Sequence, residues 1–344
     1  MQKLKIGIIG AGRIGRLHAE NIVANFGYVK VKSIADIFAD KIKDWAYELG
    51  IKNVYTDYKE VIKDPEIDAV LICSSTDTHA KFIIESAKAG KHIFCEKPID
   101  LNPEKVKEAL EVVKQEGVKL QVGFNRRFDA NFKSLRDAVM EGKIGDPHII
   151  KITSRDPSPP PIDYIKVSGG IFLDMTIHDF DILRFLSGSE VEEVYTQAAV
   201  LVDPAIGEAG DVDTAIITLK MKNGALAVID NSRKAVYGYD QRAEVFGSKG
   251  CVCIENEVPS SMVLSTVDGV YSEKPKYFFL ERYKEAYIEE IRQFFECILK
   301  DTEPPVTGDD GLKPVLIGHA AWKSFKEGRP VKVEYDIMGG AEAM

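Results

Sequence analysis

At 344 residues, 45% apolar and 29% charged, the chain is long enough for two ordinary domains, each with its own core. Its net charge of −9 argues against a nucleic-acid-binding surface, since a phosphate backbone demands a basic face; an anionic cofactor must have its charge met locally. The five cysteines (Cys73, Cys95, Cys251, Cys253, Cys297) form no C-x-x-C pair, so neither a zinc ribbon nor a disulfide framework is indicated. No apolar run approaches the ~20 residues of a membrane span. Glycines and Arg13 interrupt the first hydrophobic stretch where a secretory leader would carry its apolar core, so a cytoplasmic setting is expected.

The stretch KLKIGIIG, residues 3–10, is short, β-branched and apolar, the pattern of a buried parallel strand, and RLHAENIVANF, residues 16–26, reads as helix. Between them Gly10, Gly12 and Gly15 form G-x-G-x-x-G, with Ala11, Arg13 and Ile14 at the positions between. Gly10 permits the tight turn, Gly12 lets a pyrophosphate approach the backbone, and Gly15 lets helix and strand pack closely. Exposed N–H groups and the helix dipole supply the positive potential that the net charge does not. A glycine-rich turn without a ligand has the same local pattern; the next strand separates the two. VKVKSIAD ends in Asp36, about twenty residues beyond Gly15, where an acid takes the ribose hydroxyls of an adenosine and repels a 2′-phosphate. The pattern predicts NAD rather than NADP.

Helix and strand then alternate through FADKIKDWAYELG, IDAVLICSS, DTHAKFIIESAKAG, KHIFCEKP, NPEKVKEALEVVKQEG and KLQVGFNRRF. This is the signature of a doubly wound parallel α/β sheet with right-handed crossovers, predicted over residues 1–123. Ser74, Glu96 and Lys97 fall at strand ends and join the glycines and Asp36 as cofactor-side candidates. Pro98 disfavours helical geometry at Lys97 and is compatible with a cis bond.

After Phe124 the rhythm changes. HIIKITSRD, VEEVYTQAAVLV, DTAIITLKMKNGALAVIDNSRKA and RAEVFGSKGCVCIEN are strand-like, and Asn223-Gly224 is a hairpin signal, so residues 124–344 are predicted as an α+β domain with an antiparallel sheet and helices on one face. Two C-terminal stretches, within residues 281–301 and 310–328, show helical periodicity with charged faces and are read as packing helices. The proline-rich DPSPPPIDY is a loop that cannot join a ladder; beside an active site it would be a lid.

GGIFLDMTIHDFDILRFLSG is predicted as one mostly buried helix bracketed by Gly170 and Gly188. Asp174 and His178 are four apart and Asp181 three further on, so all three share one stripe. Buried ionisable groups are costly unless paired or used. An aspartate one turn from a histidine can orient the imidazole as a general base, or simply satisfy two polar groups. No third ligand is spaced for a metal, and none is expected.

Together the G-x-G-x-x-G, Asp36, EKP, GFNRRFD and GGIFLDMTIHDFD segments resemble the glucose–fructose oxidoreductase/inositol dehydrogenase/rhizopine catabolism (Gfo/Idh/MocA) family, in order and over essentially the whole chain. Within it the likeness is greatest to the inositol 2-dehydrogenase group. The resemblance implies a Rossmann domain followed by a substrate-binding domain with an open-faced antiparallel sheet, through which a homotetramer or dimer assembles. It implies Lys97 between nicotinamide and substrate, His178 as base, and Asp174 as its partner. Arg127, Asp156, and Tyr237 or Tyr239 fall at substrate-side positions. The activity implied is NAD-dependent oxidation of a polyol, myo-inositol to its 2-keto product. One departure leaves the polyol open: some inositol dehydrogenases carry HRNP where this chain has SRDP, Ser154 to Pro157. A dehydrogenase or reductase of another sugar or cyclitol on the same scaffold, and a non-catalytic NAD-binding sensor, are the rival readings; the sensor has no use for Lys97 and His178.

Overall fold

The computed structural model describes residues 3–335. They form two compact units, one holding residues up to Phe128 with Glu285–Val315, the other Asp129–Lys284 with the residues from Leu316 on.

In the first unit six strands, β1 (Leu4–Ile9), β2 (Val29–Ala35), β3 (Asn53–Tyr55), β4 (Ala69–Ile72), β5 (His92–Glu96) and β6 (Leu120–Gly123), lie in the order β3-β2-β1-β4-β5-β6. Every pairing is parallel. Parallel strands cannot be joined by tight turns, and the crossovers are made by α1 (Arg13–Asn25), α2 (Ala39–Glu48), α3 (Lys59–Ile62), α4 (Thr76–Lys88) and α5 (Pro103–Glu116). Because β2 and β4 both flank β1, the winding reverses there, and a crevice opens at the C-terminal ends of β1 and β4, where ligands of such sheets bind.

The core of this unit is completed from far along the chain. The helix Lys284–Lys300 presents Ile288, Ile291, Phe294 and Phe295 at helical spacing to the cluster of Ile6, Ile8, Ala19, Ile22 and Phe26. Phe295 meets Phe26 edge-on at 5.5 Å, and Phe294 lies 5.9 Å from Phe94. A single cut at residue 123/124 therefore does not describe the compact units, because residues 285–315 return to the first.

The second unit is built on seven strands: β7 (Pro147–Arg155), β8 (Val191–Ala199), β9 (Thr214–Met221), β10 (Leu226–Ser232), β11 (Asp240–Gly247), β12 (Gly250–Ile254) and, beyond a separate hairpin of β13 (Val263–Thr266) and β14 (Gly269–Ser272), β15 (Val331–Lys332). Their order is β12-β11-β7-β10-β9-β8-β15. The Asn223-Gly224 turn joins β9 to β10, with Gly224 at φ +91°. The sheet is mixed rather than antiparallel throughout, since β7 and β10 pair in parallel. That pairing needs a long connection, which the helical segments after β7 and the β8–β9 strands provide. Burial alternates strictly along β9, so one face of the sheet is covered and the other open.

The expected single helix after Gly170 is two, Gly170–Asp174 and Thr176–Ser187, broken at Met175. Thr176 stands at the break, its hydroxyl 2.7 Å from Asn231 Oδ1 and 3.2 Å from the Ile171 carbonyl. Asn231 in turn donates to Asp179 Oδ2 (2.9 Å) and to the Ser154 carbonyl (3.1 Å), fixing the second helix to β10 and β7.

Phe294 is fully buried in the first unit's core, so Phe294→Ala should cost about 3–5 kcal/mol in urea unfolding. A loss under about 1 kcal/mol would show that the returning helix is not part of that core.

Candidate active site

In the first unit the three glycines stand in three different settings. Gly10 has φ +92°, and a Cβ there would stand 2.6 Å from the Ser74 nitrogen. A Cβ at Gly15 would stand 2.0 Å from the Gly10 carbonyl, so α1 rests directly on the turn. At Gly12 a Cβ would meet nothing within 4 Å. Gly12 is also the N-cap of α1, without a side-chain cap and with no acid in the first turn, so no residue of that turn offsets the positive end of the helix dipole.

Asp36, one residue past β2, accepts from the Ala11 N–H (2.7 Å, Oδ2) and the Phe38 N–H (2.7 Å, Oδ1). A carboxylate has about four acceptor positions, so each oxygen keeps one for a ribose hydroxyl. Open space at Gly12, an uncapped helix start and an anchored acid together fit a dinucleotide.

Ser74 and Lys97 follow β4 and β5, and the Lys97–Pro98 bond is cis. Buried His79, which sequence reasoning passed over as a helix residue, ties these two strand ends: its Nδ1 lies 2.8 Å from the Pro98 carbonyl and its Nε2 3.0 Å from that of Ser74. Ser74 Oγ also pairs with Thr78 Oγ1 at 2.6 Å. Arg127 stands on the short turn Asn125–Phe128, where its Nη2 pairs with Asp310 at 2.9 Å.

In the second unit, every residue from Gly170 to Arg184 is buried except Asp174 and His178, which are half-buried. The two stand on either side of the break at Met175. Asp174 accepts from Tyr164 Oη (2.9 Å) and forms an ion pair with Arg233 Nη1 (3.3 Å). Arg233 is 1% exposed and also lies 3.6 Å from Asp211, whose carboxyl is pushed up mainly by burial, against the pull of hydrogen bonds from Ile171 and Val212 and the Arg233 charge. One buried cation thus serves two acids and holds Asp174 in place. Nothing in the sequence pattern singled out Arg233, which reads there as one more charge at a strand end. Asp181, expected on the same stripe, is fully buried and lies 3.7 Å from Arg184.

Asp156 follows β7, hydrogen-bonded through its backbone to Ser232 and Ala235. Tyr237 is tied into a charged network, donating to Asp240 (2.6 Å) and accepting from Arg155 (3.1 Å). Tyr239 is buried edge-on against Tyr283 at 6.0 Å. Ser154 is fully buried and hydrogen-bonded to Gln241. The pairing of Ser232 with Arg155, and of Arg155 with Asp240, gathers Asp156 and Arg233 at one end of the sheet.

Residues 4–124 match the NAD-binding Rossmann-fold model of an oxidoreductase family, and residues 132–253 the GFO/IDH/MocA C-terminal domain. The chain is 52% identical to myo-inositol 2-dehydrogenase of Thermotoga maritima, over 98% of this chain and 100% of that one. It is 48% identical to inositol 2-dehydrogenase of Rhizobium meliloti, over 96% and 99%. A solved structure of scyllo-inositol dehydrogenase from Lactobacillus casei, with bound NAD(H) and scyllo-inositol, superposes with a TM-score of 0.89 at 31% identity, covering 96% of this chain and 99% of that one.

The glycine geometry separates two substitutions. Gly12→Ala should leave the melting temperature nearly unchanged while weakening NADH binding by roughly tenfold or more, because the new methyl occupies ligand space. Gly15→Ala should instead destabilise the fold itself. Equal melting losses in both variants would contradict the division of roles.

Proposed function

The chain belongs to the Gfo/Idh/MocA family of NAD-binding oxidoreductases, and we propose that it oxidises a ring secondary alcohol of a cyclitol, with myo-inositol the substrate and the 2-keto compound the product. The observation that carries the chemistry is the Asp174–His178 pair, half-buried on an otherwise buried segment and backed by Arg233. The substrate class is supported by the inositol dehydrogenases that share about half their residues with this chain over nearly its whole length.

Bound NAD supplies the acceptor for the hydride leaving the carbinol carbon. His178 takes the hydroxyl proton, so that the C–H pair leaves as hydride and the C–O bond becomes a carbonyl. Lys97 stabilises the alkoxide developing on that oxygen, an electrostatic effect of a few kcal/mol in comparable sites. Asp174 sets the imidazole's orientation. Asp36, Ser74, Glu96 and the loop from Gly10 to Gly15 hold the cofactor, while Arg127, Asp156, Tyr237 and Tyr239 serve the ring hydroxyls. Ser154, buried against Gln241, offers no hydroxyl to the polyol.

The five free thiols suit a reducing compartment, here the cytoplasm. Assembly is read as homotetrameric or dimeric, through the open sheet face. There exposed Leu226, Ile149 and Phe246 lie side by side on β10, β7 and β11, a row that a second copy would cover. Sedimentation should give a multiple of the chain mass, and a monomer would remove this part of the reading.

Purified protein with saturating NAD should form NADH from myo-inositol with a kcat/KM well above that for glucose, with scyllo-inositol as the closest rival; no NADH from myo-inositol sinks the substrate assignment. His178→Ala should lower kcat by about 10²–10⁴-fold and remove the acid limb of the pH–rate profile, because a protonated base accepts no proton. Lys97→Ala should lower kcat with little change in NADH affinity. Near-native turnover in either variant would remove the corresponding role.

A further inference from the structure

Behind the glycine turn of the first unit lie three buried ionisable groups that hydride transfer does not use directly. His18 comes from α1, Glu96 from the end of β5, and Glu290 from the returning helix Lys284–Lys300. His18 Nε2 stands 2.8 Å from Glu96 Oε1 and 3.9 Å from Glu290 Oε1. A carboxylate only accepts, so an ionised Glu96 takes the Nε2 proton of His18. Both Glu290 oxygens are inaccessible and have no hydrogen-bond partner, although the side chain is 0% exposed. An isolated anion in that position would carry the full penalty of a buried, unpaired charge beside a second carboxylate.

We propose that Glu290 is a positioning residue for the cofactor site, held as a neutral carboxylic acid so that the single Nε2 proton of His18 stays on Glu96. Glu96 directly precedes Lys97, and its other oxygen faces Gly123, where a Cβ would stand 3.0 Å from Oε2. An ionised Glu290 competes with Glu96 for the one imidazole proton and frees the Glu96 side chain at the mouth of the cradle. Among the described residues the groups facing Glu290 are His18, Glu96 and the thiol Cys73, with Tyr287 on its own helix packed against the His18 ring at 5.8 Å; none of them is a lysine or arginine. Burial first, and then the Glu96 charge, push the Glu290 carboxyl well above its ordinary range.

The sign follows. A carboxyl whose folded value is raised contributes stability that is complete below about pH 4 and is lost as pH rises through the folded value. If its neutrality also positions Glu96, cofactor affinity holds until the folded value is reached and falls as pH rises beyond it.

The test is Glu290→Gln in the full-length protein. The NADH dissociation constant, by fluorescence titration, and the melting temperature are read from about pH 6 to about pH 10, with metal content measured on the same samples. The native protein should lose both affinity and melting temperature as pH rises, the affinity by at most about tenfold per pH unit, the limit for one linked proton. Glu290→Gln should match native affinity at the acid end and stay flat above it, and Glu290→Met serves the same purpose should the amide disturb packing. Superimposable pH curves for native and variant overturn the proposal. So does a variant that flattens only the melting curve, since Glu290 is then structural alone. One equivalent of divalent metal per native chain, lost in the variant, also overturns it, because a cation rather than a proton then fills the cluster.

Discussion

The 2.0 Å that would separate a Cβ at position 15 from the Gly10 carbonyl is the constraint on which the cofactor end of this molecule depends. Only a bare backbone lets α1 start so close to the end of β1, and only that closeness aims the uncapped helix N–H groups at the crevice where the sheet's winding reverses. A protein of net charge −9 offers little general attraction to a dinucleotide. The attraction proposed is local instead, made of backbone dipoles at the turn. Asp36, anchored on Ala11 of that same turn, is the residue proposed to discriminate at the adenosine ribose.

What holds this arrangement steady comes from distant segments. Phe294 and Phe295 return from the C-terminal half to close the core beneath the first helix, and Glu290 rides on the same helix into the space beside His18. His79 links the two strand ends that carry Ser74 and Lys97. In the second unit Arg233 and Asn231, neighbours at the end of β10, divide the work on the segment that carries the proposed base. Arg233 fixes Asp174 through charge, and Asn231 fixes the helix of His178 through hydrogen bonds to Thr176 and Asp179. Asp174 and the helix that carries His178 thus rest on buried polar partners, and a partly satisfied polar interior is where substitution is most costly.

The parts of this design that were legible in the sequence are those written in local spacing. The three glycines, the acid after the second strand and the alternation of strand and helix each declare themselves within some twenty residues. Asp174 and His178 were legible for the same reason, as two ionisable residues four apart in an apolar run. Other features exist only through contacts between remote segments. The helix that follows the break at Met175 is tied down through Thr176 to Asn231, fifty-five residues further on. The parallel pairing of β7 with β10 depends on where an intervening sheet excursion returns, and nothing within either strand encodes it. Arg233, His79 and Glu290 carry no motif at all; their meaning lies in what surrounds them once the chain is folded.

Hydride removal from a ring carbon is the central chemical claim, and isotopic transfer tests it most directly. With myo-inositol deuterated at the carbon that bears the axial hydroxyl, the account predicts that the NADH isolated after turnover carries a single deuterium on its nicotinamide ring, read by mass. NADH that forms without the label would contradict it, because the hydride would then have come from another position.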